Sequence, residues 1–344
     1  MATLHDRDVW LPESRLDGKV VRGKDGWLFL DNDGNHIMLQ HVGKLRFTGD
    51  QLRQWRAVLE TRRAWLGARG IPYFFMVAPN PHSVYHDKLP DEIGGVALGS
   101  GERRPLVQLM EHLERHASPA QVMYPLDELQ ALKDKHVYTK TNTHWTDLGA
   151  FVAYRRLIRE VKQAVPVRAL GETDLMIDEV EREGDLGLKV DPRESSVHVY
   201  VLPRRPAARF LFDNRVFRNG RRIDYECELA PDVKCLVFGD SFAYMMLPEL
   251  AETFGRLVFA HIATLDHSLV ERERPDVVLT LMNERFLIRV PVDLPARSLM
   301  EWEAAKREMG QMYPPRTAKG TSVDSPTPWE DETAAMPAPE QGDL

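Results

Sequence analysis

The chain has 344 residues, of which 43% are hydrophobic and 28% are charged, and this balance is ordinary for a globular protein. Its length suffices for one large α/β domain with appendages or for two modest domains. The formal net charge of -7 argues against a general nucleic-acid binder, because binding phosphate requires a basic face.

Cysteine usage and hydropathy indicate the compartment. Cys227 and Cys235 match no zinc or redox spacing, and Cys235 lies in an apolar run that is typical of a buried thiol. Residues 1–8 lack the basic and apolar regions of a secretory signal. No stretch approaches the ~20 apolar residues of a membrane span. We therefore expect a soluble and most simply cytoplasmic protein.

In the first half of the chain, helical patterns alternate with short apolar runs. Asp50 is predicted to cap a helix that continues to about Arg69. Residues 73–78 form a continuous apolar run, which is typical of a buried strand. A second helix is predicted over residues 105–116 and a further strand over residues 121–124.

The alternation continues in the second half. Thr146 is predicted to cap a helix over residues 147–164. Three more buried strands are predicted, with a helix over residues 243–254 between the first two: residues 235–238, 256–260 and 276–281. Such alternation predicts an α/β fold with a mostly parallel sheet and helices on both faces.

Two segments depart from this pattern. The Arg-rich residues 171–231 are predicted to form an inserted irregular loop or a small β excursion. Residues 311–344 are rich in Pro, Ser, Thr and acidic residues and poor in aliphatic ones. They cannot bury enough apolar surface to offset the entropy of ordering, so a disordered tail is predicted.

The most specific motif is the Gly239-Asp240-Ser241-Phe242 turn after a predicted strand. Ligands bind at the carboxyl ends of strands in open α/β sheets, so we predict that Ser241 is a nucleophile. Its backbone N–H at the start of the next helix is expected to stabilise an oxyanion, and Gly239 permits the tight turn. A simple capping role for Asp240 and Ser241 is the alternative.

A serine hydroxyl is a weak nucleophile until a base takes its proton, so one of the twelve histidines must serve. His144, two residues before the predicted cap Thr146, is the best candidate. If this segment is extended, Asn142 and His144 point to the same side and Asn142 orients the imidazole. A packing or capping role for the His-Trp pair is the alternative.

Further polar residues are candidates for the oxyanion or substrate site. Asn80 follows the strand over residues 73–78, although a turn-forming role beside two prolines fits equally well. Arg285 follows the last predicted strand and could contact a glycan or an acyl donor, with an ion pair to Glu284 or a neighbour as the alternative. Tyr244, three residues after Ser241, completes the set. No third ligand is suitably spaced to make a metal site with His136 and His144.

Together, the Gly-Asp-Ser-Phe turn and the upstream Asn142-Thr143-His144-Trp145 segment resemble the alginate O-acetyltransferase group of SGNH hydrolases, the AlgX and AlgJ proteins and their relatives. Further segments appear in the order expected of that group: residues 23–30, residues 79–90, Gly184-Asp185-Leu186, and residues 275–287. The resemblance implies a three-layer SGNH-like domain with a parallel central sheet over residues 21–300, preceded by an N-terminal arm over residues 1–20.

The chain departs from the family pattern at two positions. The family usually has aspartate where this chain has Asn142, and a carboxamide can orient a histidine without stabilising its charge. Either Asn142 is a working orienter, or the enzyme is slow, or another carboxylate such as Asp147 or Asp240 substitutes. His82 lies near a position where lysine is typical, which affects the substrate contacts expected there.

The resemblance implies transfer of an acetyl group onto a sugar hydroxyl of a polysaccharide or glycan. His144 would deprotonate Ser241, an acyl-enzyme would form, and His144 would then activate the acceptor hydroxyl. No bound cofactor is expected, but an acyl donor is required, either acetyl-CoA or a group delivered by a membrane protein, as in relatives outside the cytoplasm. The alternatives are a carbohydrate acetylesterase of the same fold and a catalytically silent glycan-binding protein.

Overall fold

The computed structural model of the protein describes residues 15–16, 20–31, 33–100 and 103–317. Most of the predicted N-terminal arm and the predicted tail beyond residue 317 lie outside the described residues.

Helices and short strands alternate along the described chain. The α-helices have the following bounds: α1 (Ile37–His41), α2 (Gly49–Gly67), α3 (Pro81–Val84), α4 (Asp91–Ser100), α5 (Pro105–Arg115), α6 (Leu126–Ala131), α7 (Asp147–Val161), α8 (Ser241–Tyr244), α9 (Leu247–Thr253), α10 (His267–Glu273) and α11 (Leu299–Glu308). The strands have these bounds: β1 (Arg15–Leu16), β2 (Val20–Arg22), β3 (Leu28–Leu30), β4 (Tyr73–Ala78), β5 (Leu175–Glu183), β6 (Ser195–Pro203), β7 (Ala208–Asp213), β8 (Arg222–Cys227), β9 (Lys234–Gly239), β10 (Arg256–Ala260), β11 (Val277–Asn283) and β12 (Arg316–Thr317).

A seven-stranded sheet in the order β12-β7-β8-β10-β9-β11-β4 forms the centre of the fold. The strands β10, β9, β11 and β4 are parallel to one another, whereas β8, β7 and β12 extend the sheet in antiparallel fashion. All residues of β11 are buried, because helices cover both faces of a parallel sheet.

The two faces of β4 show how the layers form. Phe75 and Val77 pack with Trp55 of α2 and Leu109 of α5. Met76 and Ala78 belong to a separate core that includes residues of α7 and α9. Because side chains alternate along a strand, one continuous apolar run supplies both cores. The α/β fold with three layers that the sequence predicts is therefore confirmed.

The predicted insertion over residues 171–231 is only partly separate from the domain. Its first half forms an independent two-stranded sheet of β5 and β6. Its second half contributes β7 and β8 to the central sheet, so the sheet is mixed rather than parallel. The antiparallel part escaped prediction because these strands mix buried and half-buried residues and lack a continuous apolar run.

Three element boundaries also differ from the prediction. Thr48, rather than Asp50, caps α2 through a reciprocal capping box with Gln51. The predicted helix over residues 243–254 is split into α8 and α9, because Pro248 in the first turn of α9 cannot donate a hydrogen bond to a continuous helix. Residues 121–124 form no strand, although Met123 makes a single bridge to β4.

The start of the predicted tail is also ordered. Arg316 and Thr317 form β12, which pairs with the edge of β7, and Met312 bridges to Val216. The prediction of disorder is therefore wrong for residues 311–317, since an open strand edge provides backbone partners for a segment that has few apolar side chains. Two other predictions are confirmed: Thr146 caps α7, and Cys235 is fully buried.

Candidate active site

The turn between β9 and α8 presents Ser241 at the carboxyl edge of the sheet. The Asp240 carboxylate accepts hydrogen bonds from Phe242 N at 2.8 Å and from Asn283 N at 2.7 Å, which ties the turn to the end of β11. A Cβ at Gly239 would lie 2.6 Å from the carbonyl oxygen of Leu281, so the turn has no room for a side chain there. Asp240 is therefore committed to backbone donors and does not substitute for a carboxylate beside His144.

His144 meets Ser241 directly. Its Nε2 lies 2.8 Å from Ser241 Oγ, and its Nδ1 lies 3.1 Å from Asn142 Oδ1. The backbone N–H of His144 donates to the same Asn142 Oδ1 at 2.9 Å. Because a backbone N–H can only donate, the amide oxygen of Asn142 must face this side, so the imidazole carries its proton on Nδ1. The unprotonated Nε2 then faces the serine hydroxyl, as a general base requires.

The route by which Asn142 reaches His144 differs from the expectation. The segment is not an extended strand; the Asn142 side chain turns back onto the backbone two residues further on, as asparagine commonly does in turns. The imidazole is also held by Phe242, whose ring centroid lies 5.0 Å from that of His144. The fully buried Trp145 also packs against the Phe242 ring, in an edge-to-face contact with 5.1 Å between the ring centroids.

The protonation state of His144 is set by burial and by the surrounding charges. Burial lowers the pKa of His144 below its ordinary value, because an imidazolium loses hydration there. Asp185 opposes this and raises the pKa, whereas Arg285, Lys189 and Arg218 lower it further. The balance keeps the imidazole neutral at neutral pH, which is the form that can accept a proton.

Asp185 is a residue of the site that the sequence analysis missed. Its Oδ1 accepts from Thr143 N at 2.7 Å and its Oδ2 from Thr143 Oγ1 at 2.5 Å. Thr143 Oγ1 in turn lies 3.3 Å from His144 Nδ1. In the sequence, the Gly184-Asp185-Leu186 segment shows only a family resemblance, and no periodicity connects Asp185 with Thr143, which lies 42 positions away.

Asn80 lies at the end of β4, beside a buried polar network. Its backbone N–H donates to Glu284 Oε2 at 3.0 Å, and its side-chain Oδ1 has no hydrogen-bond partner among the described residues. Glu284 also accepts from the hydroxyls of Ser83 and Tyr124, both at 2.9 Å, and pairs with Arg104 at 3.1 Å. Glu284 is thus engaged with Arg104 and leaves Arg285 available for another partner.

Arg285 is only 9% exposed, and its Nε lies 3.8 Å from Asp33 Oδ2. Within the described ranges, Nε and Nη1 of this guanidinium are buried without a hydrogen-bond partner. A loose ion pair with Asp33 therefore leaves unused donors. The nearby His82 provides no cation in place of the lysine typical of the family, because burial lowers the pKa of His82 to about 4. Its Nε2 lies 2.9 Å from the carbonyl oxygen of Leu30.

The remaining candidates have structural contacts. The ring of Tyr244 packs against Phe259 at 6.1 Å and under the guanidinium of Arg221 at 4.9 Å. Asp147 lies 3.3 Å from His198 Nε2 and does not substitute for a carboxylate beside His144.

Among the residues that the structure describes, no three His, Cys, Asp or Glu side chains are grouped as a metal site would require. None of the helices in those ranges combines the length and hydropathy of a membrane crossing.

Comparison with known proteins gives a consistent classification. Residues 20–203 match the family model described as "SGNH hydrolase-like domain, acetyltransferase AlgX". The probable alginate O-acetylase AlgJ of Pseudomonas fluorescens is 26% identical over 199 residues, which cover 57% of this chain and 43% of the relative. The AlgJ protein of Pseudomonas aeruginosa is 29% identical over 183 residues, covering 50% and 42%. The chain thus spans about two fifths of the length of these curated relatives.

Two solved structures share the fold. PatB1 of Bacillus cereus is 14% identical, with a TM-score of 0.57 over 78% of this chain and 96% of that protein. A DHHW family protein from Eubacterium siraeum is 16% identical, with a TM-score of 0.54 over 79% and 95%. The family match ends before Ser241, so the assignment of the nucleophile depends on the geometry of the turn and the imidazole.

Proposed function

We propose that this chain, which belongs to the AlgX family of SGNH hydrolase-like acetyltransferase domains, is an acetyltransferase. It transfers an acetyl group onto a hydroxyl of a polysaccharide through an acyl-enzyme at Ser241. The observation that carries this proposal is the 2.8 Å contact between His144 Nε2 and Ser241 Oγ, together with the Nδ1 contact to Asn142 that sets the tautomer. The acceptor class follows the curated relatives, which are named as probable alginate O-acetylases.

In the first half of the reaction, His144 Nε2 takes the proton of Ser241 as Oγ attacks the carbonyl carbon of the acyl donor. The bond from that carbon to the leaving group breaks, and His144 returns the proton to the leaving group. In the second half, His144 takes the proton of a sugar hydroxyl, whose oxygen attacks the acyl-enzyme. The ester bond to Ser241 breaks, and His144 reprotonates Oγ.

The negative oxygen that forms in each half needs hydrogen-bond donors. The Ser241 N–H is the first of α8 and has no acceptor within that helix, so it is the first candidate. The Asn80 side chain, at the same edge of the sheet, is the second. Gly239 leaves the turn free of a side chain, so the backbone can take the tight path that presents Ser241. The unused hydrogen-bond donors of Arg285 are the proposed contact for the acyl donor or the sugar.

The source of the acetyl group is part of the proposal. Acetyl-CoA or a group passed on by a membrane protein would each present a carbonyl to Ser241. The same geometry also serves an esterase, in which water replaces the sugar. Product analysis with and without a polysaccharide acceptor distinguishes them, because transfer leaves the acetyl group on the sugar and hydrolysis releases acetate.

The first prediction tests the nucleophile. Wild type incubated with an activated acetyl ester should gain the mass of one acetyl group on Ser241 and release the leaving group, while Ser241→Ala should do neither. Ser195→Ala, which removes an exposed hydroxyl on β6, should behave as wild type. PatB1 has been solved with a sulfonyl adduct, so a sulfonyl fluoride is a second probe. Equal acetylation of wild type and Ser241→Ala would exclude Ser241 as the nucleophile.

A further inference from the structure

The loop after β5 is held against the segment that carries His144. The backbone of Gly184 lies so close to the Thr141 carbonyl that a Cβ would overlap it. The N–H groups of Leu186 and Gly187 both donate to Thr141 O at 3.0 Å. Asp185 therefore sits between residues with fixed backbones, and the position of its carboxylate is determined by the fold rather than by a flexible loop.

That carboxylate is directed at Thr143. Asp185 accepts from the backbone N–H at 2.7 Å and from the hydroxyl at 2.5 Å. The Thr143 hydroxyl has one proton, and because it donates this proton to Asp185, its lone pairs remain to accept from His144 Nδ1 at 3.3 Å. Within the described part of the chain, Asp185 forms no ion pair, so no adjacent cation cancels its charge.

We propose that Asp185 is a positioning residue for the His144 base: acting through the Thr143 hydroxyl, it supplies the negative charge that stabilises the imidazolium and that the carboxamide of Asn142 lacks. The inference rests on the proposed function, since the imidazolium arises when His144 takes the Ser241 proton. No further proton moves: Nδ1 keeps its hydrogen, and the Thr143 hydrogen stays in its bond to Asp185.

The charges that face His144 come from several elements. Burial has the largest effect and lowers the pKa of His144; Arg285, Lys189 and Arg218 lower it as well, and Asp185 raises it. Asp185 therefore opposes three cations and the loss of hydration. Its removal should make His144 less basic and its protonated form less stable.

The experiment compares Asp185→Asn with Glu179→Gln, which removes one exposed carboxylate from β5 in the same hairpin. The pKa of His144 is measured by NMR titration of its imidazole, and the pH profile of activated-ester cleavage is measured in parallel. In Asp185→Asn we expect a lower pKa for His144 and a cleavage rate reduced on the order of tenfold, the factor that corresponds to one pKa unit. Glu179→Gln should leave both unchanged.

Two further variants separate charge from folding. Asn142→Asp in the Asp185→Asn background should restore both the rate and the pKa, because it places a carboxylate directly at Nδ1. Thr143→Val, which keeps Asp185 but removes the connecting hydroxyl, should shift the pKa of His144 in the same direction as Asp185→Asn, and it carries the test if Asp185→Asn fails to fold.

An unchanged pKa of His144 in Asp185→Asn and Thr143→Val overturns the inference, as does a loss of rate that Asn142→Asp does not restore. The proposed function fails separately. If wild type shows no cleavage that depends on Ser241, yet the pKa of His144 falls in Asp185→Asn, the proposed function is wrong and only the electrostatic effect of Asp185 on His144 remains. If wild type cleaves the ester through Ser241 and the pKa of His144 is unchanged in Asp185→Asn, the proposed function is retained and the role of Asp185 is wrong.

Discussion

The Asn142 side chain makes the orienting contact that a carboxylate would make beside a catalytic histidine, and it carries no charge. Its oxygen accepts from both His144 N and His144 Nδ1, so the backbone holds the amide in the orientation that selects the correct tautomer. In the serine-protease template, replacing the aspartate by asparagine costs about 10⁴ in rate through the wrong tautomer. The orientation of the Asn142 amide here favours the correct tautomer, so in the proposed mechanism Asn142 lacks only the charge of an aspartate.

A second prediction follows for this residue. Asn142→Asp should raise the rate of ester cleavage by roughly tenfold and move the acidic limb of the pH profile to higher pH, because a charge 3.1 Å from Nδ1 stabilises the imidazolium. Asn142→Leu should instead lower the rate by roughly 10² to 10⁴, since the imidazole loses its orientation. Stopped-flow cleavage assays measure both. Identical profiles for wild type and Asn142→Asp would show that charge at this position is irrelevant.

A third prediction concerns pH. The neutral imidazole is the proposed base, and burial lowers the pKa of His144 from its ordinary value of 6.5 to about 4. Activity should therefore persist as the pH falls through 6.5 and should decline only at lower pH, where Nε2 becomes protonated. The acidic limb of kcat/KM against pH for an activated ester measures this pKa in the free enzyme. An inflection at or above 6.5 would mean that burial does not dominate at His144.

At the scale of elements, two consecutive residues at the end of β11 hold different parts of the proposed site. Asn283 donates its backbone N–H to Asp240 and so fixes the turn that carries Ser241. The next residue, Glu284, begins a 3-10 helix and joins Asn80 with Arg104 through its two carboxylate oxygens. The strand therefore connects the Ser241 turn with Asn80, the second candidate for the oxyanion site. In the sequence, Glu284 is recognisable only as a neighbour that could pair with Arg285.

A fourth prediction tests this network. Glu284→Gln should lower the free energy of unfolding by about 3–5 kcal/mol, because it removes the charge from an ion pair whose Arg104 and Glu284 side chains are only 12% and 6% exposed. The matched control is Glu271→Gln, whose ion pair with Arg69 is exposed and should contribute about 0–1 kcal/mol. Denaturant unfolding measures both differences. Equal effects would show that the two ion pairs contribute alike despite their different burial.

At the scale of the whole molecule, the proposed active site lies where separate parts of the chain meet at one edge of the sheet. The parallel strands β4, β11 and β9 end at that edge, and they carry Asn80, Arg285 and Ser241 just beyond their last residues. The His144 segment and the loop with Asp185 are added from outside the sheet. This arrangement explains why Ser241 and His144 are 97 residues apart and yet in hydrogen-bond contact.

The sequence by itself determined the parallel strands, the cap of α7 and the pairing of Ser241 with His144. These depend on continuous apolar runs, on capping residues, and on a Gly-Asp-Ser-Phe turn and an Asn-Thr-His-Trp segment that together resemble one family. Only the tertiary structure decided that β7 and β8 complete the sheet, that Glu284 pairs with Arg104, and that Asp185 reaches His144 through Thr143. The physical reason is that periodicity describes a residue's own element, whereas these contacts join distant segments whose approach is set by packing.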